Sequence, residues 1–349
     1  NIYLVFVTWV VISALYSYLS VIIRFEKIPK FFLIVSTIHL IIKIFTTIIF
    51  LVVYETGFIG IFYGHIIGDL FALIVLFFRL KTYISFSFDR VILNKLFKFS
   101  LPILPGLLLI GFEKPFANYI LQSSQSYADL GLYSLGLKII SAFTIISYGI
   151  KMAWRPFLYE KISKGDFSKE TKNIYRLLLI ILSLACMVFI LFSKEIIMII
   201  ATQEFYDAFL IVGILSLNSS IQILRQIIGI GPEVKKKTYL ITFTDLFGFC
   251  VLVISLLFFI DKLGILSVPL SLFLASLFKF IISWKITENL INIKLPIGIT
   301  LTYFILLSML VCLTILYNPY FLQKIIIFMV ITFFILFRNR LFIAESLKS

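Results

Sequence analysis

Charge is scarce in this chain. Asp, Glu, Lys and Arg together make up 14% of its 349 residues, where soluble domains carry about 25%. In its place stand 61% hydrophobic residues and a mean hydropathy of +1.12, which exclude an ordinary soluble domain. Histidine is nearly absent, with only His39 and His65, and the three cysteines, Cys186, Cys250 and Cys312, lie far apart inside apolar runs. That spacing suits neither a disulfide framework nor a zinc site. No nucleophile elbow, phosphate-binding glycine loop or zinc-protease signature occurs. The expectation is therefore a non-enzyme, without metal or cofactor.

What is present is one apolar run after another. A hydrocarbon core of about 30 Å takes about 20 apolar residues per helix, and backbone groups in lipid must be satisfied within the element. The ten-residue alternation of a membrane β-barrel is missing, so the chain reads as an all-α polytopic membrane protein. Eleven spans are expected, at 2–23, 31–53, 57–78, 100–121, 130–152, 174–193, 208–229, 238–260, 263–284, 297–317 and 320–337. Pro102 and Pro105 open the fourth span, and Pro269, inside the ninth, should kink or break it.

The connections alternate in character. RFEKIPK, the stretch from Arg79 to Phe99, the stretch from Lys151 to Arg176, GPEVKKK, KITENLINIK and the tail hold about 24 of the 31 Lys and Arg residues, while the other set holds only Lys194 and Lys262. The positive-inside rule puts the first set, and the C-terminus, in the cytoplasm. The net charge of +14 is then a signal of topology and of attraction to anionic lipid, not of nucleic acid. Ser87 to Phe99 and Trp154 to Tyr175 mix aromatic and cationic residues as interfacial helices do, or serve simply as linkers between spans lying on the membrane. Asn1 falls outside, with no initiating Met or signal peptide ahead of it, so an odd number of spans is expected upstream.

Ionised groups at membrane depth cost on the order of 3 kcal/mol unless paired or hydrated. The deep set is Lys43, Asp69, Glu113, Lys114, Lys138, Asp245 and Lys279, with Lys324 near the end of the last span placed to snorkel. Counting residues from the ends of consecutive spans puts three acid–base pairs at matched depth: Lys43 with Asp69, Glu113 with Lys138, and Asp245 with Lys279. Lys114 is left over. Either these are structural ion pairs, or they line an aqueous cavity with one net positive charge. Gly60, Gly64 and Gly68 give one face of the third span a smooth small-residue ladder, and His65 lies one turn from Asp69 on an adjoining face. Asn218, Gln222, Arg225 and Gln226 form a polar stripe on the seventh span, suited to interhelical hydrogen bonds or to lining a cavity.

The segments FSLPILPGLLLIGFEKPFANYIL and LGLYSLGLKIISAFTIISYGIKMAWRPFLYE, flanked by RFEKIPKFF, GFIGIFYGHIIGD and GPEVKKKTYLITFTDLFGF, resemble the polysaccharide-type (Wzx-like) flippases of the multidrug/oligosaccharidyl-lipid/polysaccharide exporter superfamily. The resemblance implies a MATE-like two-lobe bundle of 14 helices, of which three N-terminal ones would precede this chain. Residues 1–99 would complete one lobe, 100–284 form the other, and 285–349 supply two extra spans and a cytoplasmic tail. It further implies a bacterial inner-membrane protein that moves undecaprenyl-diphosphate-linked oligosaccharide outward by alternating access, for O-antigen, capsule or exopolysaccharide synthesis. The glycan polymerase and chain-length machinery would be partners beside membrane lipids. Lys43, Lys114, Lys138, Asn218, Gln222 and Arg225 would contact the anionic headgroup. Asp69 with His65, and Glu113, would couple to H+ or Na+, although Glu113 could instead silence Lys138. A MATE-type drug antiporter and a flippase for the peptidoglycan lipid precursor share this design.

Overall fold

The computed structural model describes residues 2–26, 28–83, 88–164, 167–317 and 319–340, except the side chains at 148, 151, 153, 155–156, 159–164 and 167–169. Among the described residues there is no strand. The helices are α1 (Ile2–Phe25), α2 (Pro29–Ile48), α3 (Phe58–Leu80), α4 (Arg90–Ser100), α5 (Leu104–Ser124), α6 (Tyr127–Lys164), α7 (Phe167–Ile200), α8 (Phe209–Ile228), α9 (Gly231–Val234), α10 (Tyr239–Leu263), α11 (Ser267–Ile291), α12 (Ile297–Leu316) and α13 (Phe321–Arg338). Ten segments are long and apolar enough to cross a membrane, and the 53-residue segment Tyr239–Ile291 among them is a hairpin of α10 and α11. Gly264 turns that hairpin at φ +51° and ψ −126°, a combination that only glycine adopts without strain. The expected eleven spanning helices are all present.

The chain forms two compact units, Asn1–Arg90 and Val91–Ser349. In the first, α3 packs against both α1 and α2. The glycine ladder is the reason on the α2 side: a Cβ on Gly64 would lie 2.7 Å from Thr47 Cα, and one on Gly68 3.2 Å from Lys43 Cα. Bare backbone at these positions lets two helices meet where lipid offers no hydrophobic drive. A π-helical turn at Ile49–Val53 extends α2.

In the second unit α8 is the central element, buried around most of its circumference by α6, α7, α11 and α12. Beyond α11 lies α10, and α5 packs along α10 while touching α6 only sparingly. Helices α12 and α13 dock on α7 within this same unit through polar clasps. Tyr175 Oη and Thr300 Oγ1 are 2.7 Å apart, Arg176 Nε donates to Asn339 Oδ1 at 2.9 Å, and Lys324 Nζ donates to Glu195 Oε1 at 2.8 Å. Lys324 therefore does not snorkel; it is 2% exposed, because α7 brings a carboxylate within its reach.

Two further expectations are corrected. The segment Trp154–Tyr175 is not a linker on the membrane, since α6 and α7 continue through it as helices of 38 and 34 residues; residues 165–166 lie outside the described set. At 1.5 Å per residue these helices are about 57 and 51 Å long, well beyond a hydrocarbon core of about 30 Å. Pro269 does not kink a span either. It is the third residue of α11, preceded by a 3-10 turn at Gly264–Leu266, where its missing N–H has no helical partner to lose. Pro115, by contrast, lies inside α5, where it follows Glu113 and Lys114 and deprives the Gly111 carbonyl of its helical bond. In the other such stretch residues 90–100 form α4, which buries none of its residues, while its neighbour Ser87 lies outside the described set.

Candidate functional site

Each unit holds one polar cluster among apolar helices. In the first, Asp69 is 1% exposed and is met by three donors. His39 Nε2 donates to Oδ1 at 2.8 Å, Trp9 Nε1 donates to Oδ2 at 3.1 Å, and Lys43 Nζ stands 3.8 Å from Oδ1. The expected meeting of Lys43 with Asp69 occurs, but the expected partnership of His65 with Asp69 does not. His65 instead stands edge-on to Trp9, ring centroids 5.4 Å apart, with a buried Nδ1 that has no partner. The histidine that reaches Asp69 comes from the neighbouring helix. His39 precedes Lys43 by four residues, so both project from one face of α2 toward α3; that spacing was available in the sequence.

In the second unit a cavity of about 470 Å³ lies among α5, α6, α8, α10 and α11. The polar stripe of α8 faces it: Asn218, Gln222, Arg225 and Gln226 all line it, opposite Lys114 and Glu113 of α5. Gln222 Nε2 donates to Asn218 Oδ1 at 3.4 Å and to Ser276 Oγ at 3.3 Å, and Gln226 Nε2 donates to Ser147 Oγ at 2.6 Å. The stripe thus does both things its pattern allowed, bonding between helices and facing a cavity.

The ion pairs of this unit are not those of consecutive spans. Glu113 pairs with Lys279, both almost fully buried, and Asp245 pairs with Arg225 at 2.6 Å. Matched depth misassigned them because α5 lies along α10 rather than along its sequence neighbour α6. Gly248 opens the route: the stem of Lys279 occupies the space where a Cβ at that position would stand, and so passes α10 to reach Glu113 on α5. Gly106 likewise lets α5 approach Thr242 and Asp245 on α10. Arg225 Nε also donates to Ser283 Oγ at 3.1 Å.

Lys138 does not line this cavity and is exposed. The face of α6 turned to the cavity carries Leu137, Ile140, Ser141 and Thr144, and Lys138 is rotated about 100° from Leu137. Lys43 belongs to the other unit. Nor does this cavity hold a surplus positive charge: Lys114, Arg225 and Lys279 are balanced by Glu113, Glu233 and Asp245. Of these cations Arg225 and Lys279 are committed to carboxylates, and Glu113, held by Lys279, neutralises neither Lys138 nor Lys114.

Trp154, Thr244 and Ser276 are cavity residues that the span pattern did not assign to it, while Asp245 and Lys279, expected either as an ion pair or as cavity lining, are both ion-paired and lining. Trp154 had no visible signal, since its place depends on α6 continuing past the expected end of its span. Among the described residues no group of three or more His, Cys, Asp or Glu side chains could hold a metal ion. No protein-family model matches this chain, and comparison with curated proteins finds no similar one. Fold and site together define an all-α polytopic membrane protein with a polar cavity lined by helices of membrane-crossing length.

Proposed function

We propose that the chain is part of a flippase that carries a polyprenyl-diphosphate-linked oligosaccharide across the bacterial inner membrane, with its C-terminus in the cytoplasm. The observation that carries the reading is the cavity of the second unit. It sets amides and hydroxyls beside Lys114, a cation with no carboxylate partner among the described residues, inside helices whose other surfaces are apolar. Such a lining has little use in a scaffold, because polar groups at this depth are costly unless water or a passenger meets them. A headgroup of sugar and diphosphate needs that hydrated lining, while a polyprenyl tail is at home in the surrounding lipid. The ammonium of Lys114 brings three donors for phosphate oxygens.

The test is transport into proteoliposomes of undecaprenyl-diphosphate oligosaccharide by the wild type and Lys114→Ala. At least a tenfold loss of rate in a variant that still inserts and purifies normally is expected. Equal rates would remove Lys114 from the site, and wild-type rates no faster than protein-free vesicles would end the flippase reading.

One observation favours a second reading, a cation-coupled drug antiporter of the same superfamily: cavity charges in the second unit balance three against three, as a cationic passenger would tolerate. Gradient-driven uptake of a lipophilic cation, with no transport of the lipid-linked sugar, would decide for it.

A further inference from the structure

At one end of the second unit, α4 meets the turn that leads from α8 through α9 into α10. Thr238 Oγ1 donates to the Phe99 carbonyl at 2.8 Å, and Thr242 Oγ1 donates to the Pro102 carbonyl. The first of these bonds stands one residue from Lys98 on α4 and one residue from Lys237 on the turn. Two lysine groups remote in sequence, Lys95 with Lys98 and Lys235 with Lys236 and Lys237, therefore share one end of the bundle, and all five are exposed. Among the described residues none of the five has a carboxylate partner. None lines the cavity, so the cluster is separate from whatever the cavity carries. We propose that these five lysines form one site for the headgroups of anionic phospholipids.

Three features select that ligand. The first is position. A single 3-10 turn, Leu101–Ile103, joins α4 to α5, and Lys237 lies two residues ahead of α10; α5 and α10 both belong to segments able to cross a membrane. The lysines thus stand where the bilayer begins.

The second is the shape of α4. Lys95 and Lys98, three residues apart, share a face, while Ile92, Leu96 and Phe99 follow steps of four and three along an adjoining one. Ile92 is 55% and Leu96 58% exposed. Acyl chains can cover that stripe while the ammonium groups stay level with the phosphates.

The third is the fixed backbone of the other group. The N–H groups of Lys235, Lys236 and Lys237 donate to the carbonyls of Gly231, Glu233 and Pro232 at 3.0, 3.1 and 2.8 Å, and Lys236 adopts a left-handed φ of +56°. Backbone ordered in advance loses less entropy when a lipid binds. Ammonium is a point charge with no demand for bidentate geometry, so the cluster selects headgroups by net charge. Each lysine near an anionic surface strengthens attraction about fivefold.

The test places the full chain in phosphatidylcholine nanodiscs that contain a minor share of a lipid with a photoreactive headgroup, either phosphatidylglycerol or phosphatidylcholine. Crosslinked peptides are quantified by mass spectrometry. Phosphatidylglycerol is expected to label both 91–100 and 231–240 about fivefold or more above phosphatidylcholine. Lys95→Gln with Lys98→Gln should lower labelling of both segments several-fold while the protein stays monodisperse, and so should the triple change of Lys235, Lys236 and Lys237 to Gln. Lys285 and Lys294 are exposed at the same end, where Thr287 of α11 accepts from the Gly231 N–H. Changing both to Gln removes the same charge as the α4 pair and should leave labelling unchanged. Equal labelling by the two lipids, a loss confined to the altered segment, or an equal loss in the Lys285 and Lys294 variant would overturn the site. Displacement of phosphatidylglycerol by inorganic phosphate would also overturn it, in favour of a free anion.

Discussion

The two units bury an aspartate each, and they treat it differently. Asp69 in the first unit is surrounded by donors from α1 and α2, with both oxygens occupied. Asp245 in the second unit spends one oxygen on Arg225, while the other lies buried against Gly106 of α5 with no hydrogen-bond partner among the described residues. A carboxylate whose hydrogen-bonding capacity is used up internally ties several helices together. One left half-used where two helices meet holds its neighbours through a single ion pair. The same contrast runs through the lysines: Lys43 and Lys279 stand beside carboxylates, whereas Lys114 lines a cavity without one.

The contrast can be broken most sharply at the buried pair that frames the cavity. Removing one member of a buried ion pair leaves an uncompensated charge and costs about 3–5 kcal/mol, so Lys279→Met should lower unfolding stability in detergent by that order. The double variant Glu113→Gln with Lys279→Met should recover most of the loss; a double variant no better than the single would mean that the pair is not what holds α5 to α11.

A smaller effect is expected in the first unit. Asp69→Asn leaves a single acceptor oxygen for the Trp9 and His39 donors, so that one of them faces an amide nitrogen, and should cost about 1–3 kcal/mol. Exchanging the charges, Lys43→Asp with Asp69→Lys, should not rescue it, because an ammonium at 69 would face those same N–H donors. Full rescue would show that Lys43 alone balances Asp69. Next comes the α2–α3 seam, where Gly64→Ala puts a methyl against the backbone of Thr47 and should cost about 1–3 kcal/mol. Gly298→Ala, with nothing within 4 Å of the new carbon, should change stability by less than about 0.5 kcal/mol. Small too is Lys43→Met: its ammonium is 3.8 Å from Asp69 and partly exposed, and a loss under about 1 kcal/mol is expected by thermal unfolding.

The number of spanning helices, their approximate ends and the glycine seam were all legible in the sequence, because each depends on periodicity and run length along the chain. The polar stripe of α8 was legible for the same reason. What could not be read was which helix lies beside which. Depth along the membrane normal is set by counting residues, so Lys43 and Asp69 could be matched. Position around the bundle is set by packing, and there Gly248 and Gly106 decide that α5 meets α10 and that Glu113 meets Lys279. The extension of α6 past its apolar run, which carries Trp154 to the cavity, leaves no hydropathy signal because its residues are polar and aromatic.

The central claim is that the cavity of the second unit is an aqueous passage for a polar headgroup. Its most direct measurement is thiol labelling of Gln222→Cys in membranes, with Cys186, Cys250 and Cys312 replaced by alanine, using a charged reagent that cannot cross lipid. Rapid modification, slowed when the lipid-linked oligosaccharide is supplied, is the result expected. Modification by an apolar reagent alone, or a rate indifferent to that lipid, would contradict it.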